Sequence, residues 1–190
     1  MNDKAQKDIL PILQKILDDC KKGNKKAQKK LFDLYSKKGI VVCYRYARKL
    51  EDAEDMMMEG FAKVFQNMTK FNEIKEFSKW FNTVLINTAI NYYKKESKHY
   101  YNFNIEDVKE TDFEDLESDE KEPQFSTNDL MKALNFLPDG QREIFNLYAI
   151  DGYSHKEIAE IIEIKESTVR TQYMRAKIKL KEILLKKISR

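Results

Sequence analysis

Glycine and proline are scarce, at 5 and 3 of 190 residues. So few chain breakers predict long, uninterrupted helices. Cys20 and Cys43 are the only cysteines, and no CxxC is present. This argues against a disulfide framework or a thiolate metal site, and it fits a reducing, cytoplasmic compartment. The two histidines, His99 and His155, are far apart in sequence. That removes a histidine-rich metal centre and any Ser-His-Asp triad placed by a known motif. Neither GxxxxGK[ST] nor GxGxxG occurs, so no glycine-rich phosphate cradle is expected. No run approaches the ~18 apolar residues of a membrane span, and the N-terminus shows no signal-peptide core. No cofactor, no metal and no catalytic residue is expected.

Charge is abundant, with 35 basic and 32 acidic side chains and a formal net of +3. The distribution is uneven: +9 over residues 1–50, −8 over 101–126 and +4 over 151–190. The acidic block at 100–126 has too few apolar residues to bury a face, and its like charges repel. Pro123 discourages helix there. The block reads as a flexible tether between a helical domain at 1–99 and a second at 127–190. The fold class is therefore all-α, with two domains.

In the first domain, Ile9, Leu10, Leu13, Ile16 and Leu17 recur at helical spacing. Pro11 is expected in that helix's first turn. Gly23-Asn24 breaks it, and Ala27, Leu31, Leu34 and Tyr35 carry a second helix ending near Gly39. Residues 40–44 are β-rich but continue the helical spacing through Val42, Tyr46 and Ala47, so helix is the reading. A third helix covers about 51–66 and a fourth about 75–98. In the second domain, helices are expected at about 128–136, 141–149, 154–162 and, after a turn at 163–165, to about 187. Ser154 and Glu157 form an S-x-x-E capping box. Val169, Tyr173, Ala176, Leu180 and Leu184 form the inner stripe of the last helix.

Three segments carry candidate function, each beside a plainer reading. Residues 154–181 form a short capped helix, a turn and a second amphipathic helix. They are either a helical hairpin with a solvated basic face or a helix-turn-helix. In the second case Arg170, Thr171, Met174, Arg175 and Lys177 face the major groove. His155, Lys156 and Lys165 then flank the entrance, where phosphate contacts fix register. Residues 52–65 join Asp52, Asp55 and Glu59 to Phe61 and Phe65. They are an ordinary surface helix or a docking helix for a basic partner. Residues 71–98 combine Phe71, Phe77, Trp80, Tyr92 and Tyr93 with Asn87, Lys94, Lys95 and Lys98. Rings stack unpaired bases, amides read base edges and lysines hold the backbone. Aromatic stripes are also ordinary core. Phe81, Leu85 and Trp80 fit that reading better than Phe71 and Asn87 do.

Taken together these residues resemble the bacterial RNA polymerase sigma factors of the extracytoplasmic-function (ECF) group. Residues 46–55, Glu59-Gly60-Phe61, Val64-Phe65, Phe77 to Trp80 and residues 87–93 are similar to the family's region two. Leu137-Pro138, Gln141-Arg142-Glu143, residues 151–154, Glu157-Ile158-Ala159, residues 167–170 and Arg175-Ala176 are similar to region four. The pieces stand in family order and at family spacing.

The resemblance implies a promoter-specificity factor rather than an enzyme, with core RNA polymerase and promoter DNA as partners. Asp52, Asp55, Glu59, Phe61 and Phe65 would bind the clamp helices of the largest subunit. Region four would meet the flap of the second-largest. Phe71, Phe77 and Asn87 would hold a base flipped from the −10 element, with Tyr92, Tyr93, Lys94 and Lys95 beside them. Lys156, Lys165, Ser167, Thr168, Arg170, Thr171, Met174 and Arg175 would serve the −35 element. The acidic tether would thread over the polymerase. Factors of this group are commonly held by an anti-sigma protein. Three residues depart from the family pattern near the helix-turn-helix or its approach. Glu163 replaces a turn glycine, Lys165 replaces a capping serine, leaving Ser167 to cap, and Tyr148 replaces a basic residue. In region two, Met58 replaces a glutamine. The competing reading is a stand-alone regulator using the helix-turn-helix alone. It would not need the acidic 52–59 cluster or the aromatic 71–93 set.

Overall fold

The structure, a computed structural model, describes residues 3–96 and 126–188. Among them every regular element is helical. The chain divides into two compact units between Tyr93 and Lys94. The acidic tether expected at 100–126 lies outside the described residues, except Ser126, as does Lys98.

Four helices make the first unit: α1 (Asp3–Lys21), α2 (Lys25–Tyr46), α3 (Leu50–Asn67) and α4 (Phe77–Glu96). One Gly-Asn pair both ends α1 and begins α2. Gly23 takes φ +77°, and the Asn24 N–H donates to the Asp19 carbonyl at 3.1 Å. The Asn24 side chain then accepts from the Lys26 and Ala27 N–H groups at 2.9 and 3.3 Å. Two helix ends are thereby satisfied within three residues.

Two expectations are corrected here. Pro11 lies inside α1, well past the first turn, because the helix begins at Asp3. Its missing N–H is tolerated on an exposed face while Leu13, Leu17 and Cys20 are buried below it. Gly39 does not end α2, which runs on through residues 40–46 to Tyr46. Gly39 is buried, and a Cβ there would stand 3.3 Å from the Met57 side chain. It therefore permits close approach of α3 rather than breaking a helix.

The core of this unit joins Leu31, Cys43, Met56, Phe61, Val64, Phe77, Phe81 and Leu85, all at most 2% exposed. Both cysteines are free and buried. Burial pushes the Cys43 thiol up to about 12, and burial with the Asp19 charge pushes Cys20 up to about 11. Both are inert packing groups.

The second unit has α5 (Thr127–Leu134), α6 (Asp139–Phe145), α7 (His155–Ile162) and α8 (Glu166–Ile188). Ser126 caps α5 by accepting from the Asp129 N–H at 3.2 Å. A π-helical turn at Asn146–Ile150 follows α6. Ala133, Leu134 and Leu137 pack with Ala176, Leu180 and Leu184 of α8 in one cluster. Val169 is likewise fully buried. The expected inner stripe of α8 is thus the face that holds it. Tyr173, the remaining member, is half-buried. Arg142 of α6 is 1% exposed and donates to the Asp139 carboxylate at 2.9 Å, so its charge is buried with a partner. Gln141 donates to Gln172 at 3.0 Å, tying α6 to α8.

Candidate nucleic-acid and polymerase interfaces

The capping box that opens α7 is complete. The Glu157 N–H donates to Ser154 Oγ at 3.2 Å, and the Ser154 N–H donates to the Glu157 carboxylate at 2.8 Å. The Ser154 N–H, and then the Ser154 hydroxyl donating at 2.7 Å, hold the Glu157 carboxyl below its usual range. Ile158, Ala159 and Ile162 are buried. The helix ends at Glu163 with φ +61°, the one positive-φ residue other than glycine among the described residues. The Ile164 N–H donates back to the Ala159 carbonyl at 3.1 Å. The glutamate thus occupies a left-handed turn position that glycine would fill without strain.

α8 starts at Glu166, and the Val169 N–H donates to the Lys165 carbonyl at 3.1 Å. Lys165 therefore precedes the helix. Ser167 is not the cap expected from sequence but part of the first turn, and its carbonyl accepts the Thr171 hydroxyl at 3.0 Å. Ser167, Arg170, Thr171 and Met174 share one face at helical spacing, opposite Val169 and Ala176. Ser167 and Arg170 are exposed, whereas Thr171 and Met174 are half-buried. Thr168 and Arg175 lie on a flank, also half-buried, and Arg175 Nε is shielded from solvent. Lys156 and Lys165 are exposed at the entrances to their helices.

Tyr148 stacks on His155 with centroids 4.1 Å apart and planes 7° apart. Tyr173 closes the cluster, 4.5 Å from Tyr148. Burial, with the Arg170 charge adding to it and Glu166 opposing, holds His155 below the usual imidazole range. Sequence spacing does not signal this ring cluster, because its members are far apart in the chain.

In the first unit the aromatic set divides. Phe77 is fully buried, in edge contact with Tyr35 at 5.1 Å and close to Phe81. It is core and cannot receive a base, which corrects the expectation for it. Phe71 is also buried, but it stacks on Trp80 at 4.8 Å with planes 23° apart. The stack borders an open cavity of about 620 Å³, lined also by Asn67, Lys70, Asn72 and Thr83. That volume suits a small-molecule-sized guest. Asn87 is exposed but is not part of this lining. It stands one turn beyond Thr83 on the same face of α4. The helical spacing of Trp80, Thr83 and Asn87 is the sequence signal for this face, and the cavity takes only its first two members. Tyr92 and Lys94 are half-buried, and the side chains of Tyr93 and Lys95 lie outside those described.

The helix expected to dock a partner divides as well. Phe61 is 2% exposed, packed against Phe32 and Phe81 at 4.7 and 5.2 Å. It belongs to the core, not to a docking face, because it falls on the same stripe as Met57 and Val64. Phe65 is half-buried and Asp55 exposed. Asp52 lies 3.7 Å from Lys49 and Glu59 lies 2.7 Å from Lys63. Met58 is 56% exposed, an apolar side chain on the outer face of α3.

Comparison with known proteins gives the class. The family profile described as Sigma-70 region 2 matches residues 31–99, and that described as Sigma-70, region 4 matches residues 127–180. The chain belongs to the sigma-70 family of RNA polymerase sigma factors, in its extracytoplasmic-function group. It is 27% identical over 181 residues to the ECF RNA polymerase sigma factor SigW of Bacillus subtilis, covering 91% of this chain and 97% of that one. It is 27% identical over 172 residues to the ECF RNA polymerase sigma-E factor of Haemophilus influenzae, covering 86% and 90%. Its fold is shared with the sigma factor RpoE from Bartonella quintana, solved in complex with the anti-sigma factor NepR. That match has a TM-score of 0.50 and 23% identity over 82% of this chain and 95% of that one. The chain is therefore a polymerase-directing initiation factor. The stand-alone regulator, which needs no region 2, falls away.

Proposed function

We propose that the two helical units divide promoter recognition between them. The first engages polymerase through the outer face of α3, where Asp52, Asp55 and Glu59 supply negative charge and Met58 an apolar contact. It captures an unpaired −10 base in the cavity beside Trp80, with Asn87 and Tyr92 along the neighbouring strand. The second lays α8 in the major groove of the −35 element, where Arg170, Thr171 and Met174 read bases while Lys156 and Lys165 hold phosphates. The acidic residues 100–126 join the two and pass over the polymerase. The factor works in the cytoplasm and makes and breaks no bonds itself. An anti-sigma protein is the expected regulator.

The observation that supports this reading best is the half-buried Trp80, backed by buried Phe71, beside an open cavity whose rim carries Lys70 and Lys79. A ring platform with cations at its edge is the chemistry of single-strand capture. The test adds the protein to core polymerase and measures initiation on a library of promoter fragments. Initiation confined to fragments sharing two spaced elements is expected. In the same assay Asp55→Lys should abolish co-purification with core polymerase. Undiminished co-purification would count against the α3 face.

A further inference from the structure

We propose that the lysine strip over residues 21–30 is a further DNA contact, one that holds duplex phosphates without reading sequence. It stands apart from base capture and from −35 reading. Residues 21–30 also precede the stretch matched to region 2, which begins at residue 31.

The strip holds Lys21, Lys22, Lys25, Lys26, Lys29 and Lys30, with no acidic residue among them. It covers the turn from α1 into α2, and all six but Lys21 are exposed. Lys22 has Asp19 at 4.0 Å, the outer limit of an ion pair. Among the described residues Lys25, Lys26, Lys29 and Lys30 form no ion pair, although Asp33 stands within a turn of the last two.

This arrangement works against the helix. The first turn of α2 carries no acidic residue. Lysines there oppose the helix dipole, whose N-terminal end is itself positive. Lys25 and Lys29, and Lys26 and Lys30, are like charges at i, i+4, which repel. The helix start relies instead on Asn24, whose side chain accepts from the Lys26 and Ala27 N–H groups at 2.9 and 3.3 Å. Burial comes from Ala27 and Leu31. The lysine charges thus add nothing to folding, and a polyanion laid over the strip offsets both repulsions at once.

The side chains favour a phosphate backbone over an acidic protein surface. Every cation is a lysine, a flexible point charge that suits phosphate without fixed geometry. Arginine and aromatic anchors, which protein interfaces concentrate, are missing from 21–30. The first exposed large apolar side chain of α2, Leu34, comes a full turn after Lys30. From Lys25 to Lys30 the helix rises about 7.5 Å, the axial span of about two phosphates on one strand.

The experiment uses holoenzyme reconstituted from core polymerase and either wild type or a variant combining Lys25→Gln, Lys26→Gln, Lys29→Gln and Lys30→Gln. Glutamine keeps the helix propensity of lysine. Affinity is measured for a promoter duplex and a random duplex between about 50 and 200 mM salt. The variant should bind both duplexes more weakly by the same factor, leaving promoter preference unchanged. Its slope of log affinity against log salt should be shallower by about 2, so the wild-type advantage shrinks about tenfold over that range. Co-purification with core polymerase should be unaffected, and the urea midpoint of the free protein should hold or rise. An unchanged salt slope overturns the proposal. If that result comes with weaker co-purification, the strip serves an acidic face of polymerase instead. A lower urea midpoint would make the lysines part of the fold and overturn it as well.

Discussion

Arg170 donates to the Glu166 carboxylate at 2.6 Å, one helical turn back along α8. The side chain proposed to read a base is thus already engaged on the protein's own surface. Both partners are exposed, at 66% and 40%, so the pair is screened by solvent and contributes little to folding. On the proposed reading, binding DNA breaks this pair and leaves a carboxylate near the phosphates. Glu166→Gln should therefore raise affinity for −35 DNA by roughly 2- to 5-fold, the range of one exposed ion pair. Arg170→Ala should cost about 1–3 kcal/mol and relax base preference. Titration with specific and random duplexes separates the two, and equal effects on both duplexes would refute base reading by Arg170.

Asn87 is exposed and makes no contribution to the core, so Asn87→Ala should leave folding and polymerase association intact. Promoter opening should fall several-fold if the amide reads an unpaired base. Permanganate reactivity of −10 thymines measures the opening, and an unchanged pattern would remove Asn87 from that role.

A Cβ on Gly60 would lie 2.3 Å from Leu85 Cδ2, and Leu85 is fully buried. Gly60→Ala should destabilise the first unit by about 1–3 kcal/mol despite alanine's better helix propensity. The effect should shrink in a Leu85→Ala background, where the clashing methyl is gone. Urea unfolding of the four members of this cycle gives the coupling, and strict additivity would mean that the contact is not tight.

Glu163 holds a left-handed turn at φ +61°. For a non-glycine residue that conformation costs roughly 1–2 kcal/mol, while glycine adds back some unfolded-state entropy. Glu163→Gly should stabilise the second unit by about 0.5–1 kcal/mol. A lower urea midpoint would show that the glutamate side chain does more than occupy the turn.

His155 is held below its ordinary value of 6.5, chiefly by burial and then by Arg170. The unfolded chain therefore takes up this proton at a higher pH than the folded one. The His155 contribution to stability is complete above about 6.5 and declines as pH falls through that value. Melting temperature should drop between pH 7.5 and 5.5, and by less in His155→Phe. With only two histidines in the chain, ring-proton NMR can follow His155 directly. A titration midpoint at or above the unfolded value would reverse the sign.

Helix periodicity alone makes most of the fold legible. The stripe on α8 and the Ser154–Glu157 box are where the spacing puts them. Pro11 and Gly39 mislead because local breaker chemistry is outweighed by packing: both sit in helices whose inner faces are buried. Charge pattern and ring content locate the candidate surfaces but not their outward side chains. Phe61 and Phe77 look like members of those surfaces and are core. Asn67 and Thr83 look ordinary in the sequence and line the cavity. Which way a side chain points depends on the neighbouring helix, and one chain's periodicity carries little of that.

Val169, Ala176, Leu180 and Leu184 anchor α8, while Ser167 and Arg170 stand clear of that packing. Changes at those two positions leave the hydrophobic anchor intact. On the proposed reading, promoter preference and folding are therefore separately adjustable in this unit. A duplicated copy of the gene could acquire a new target site by substitutions that cost the protein almost no stability.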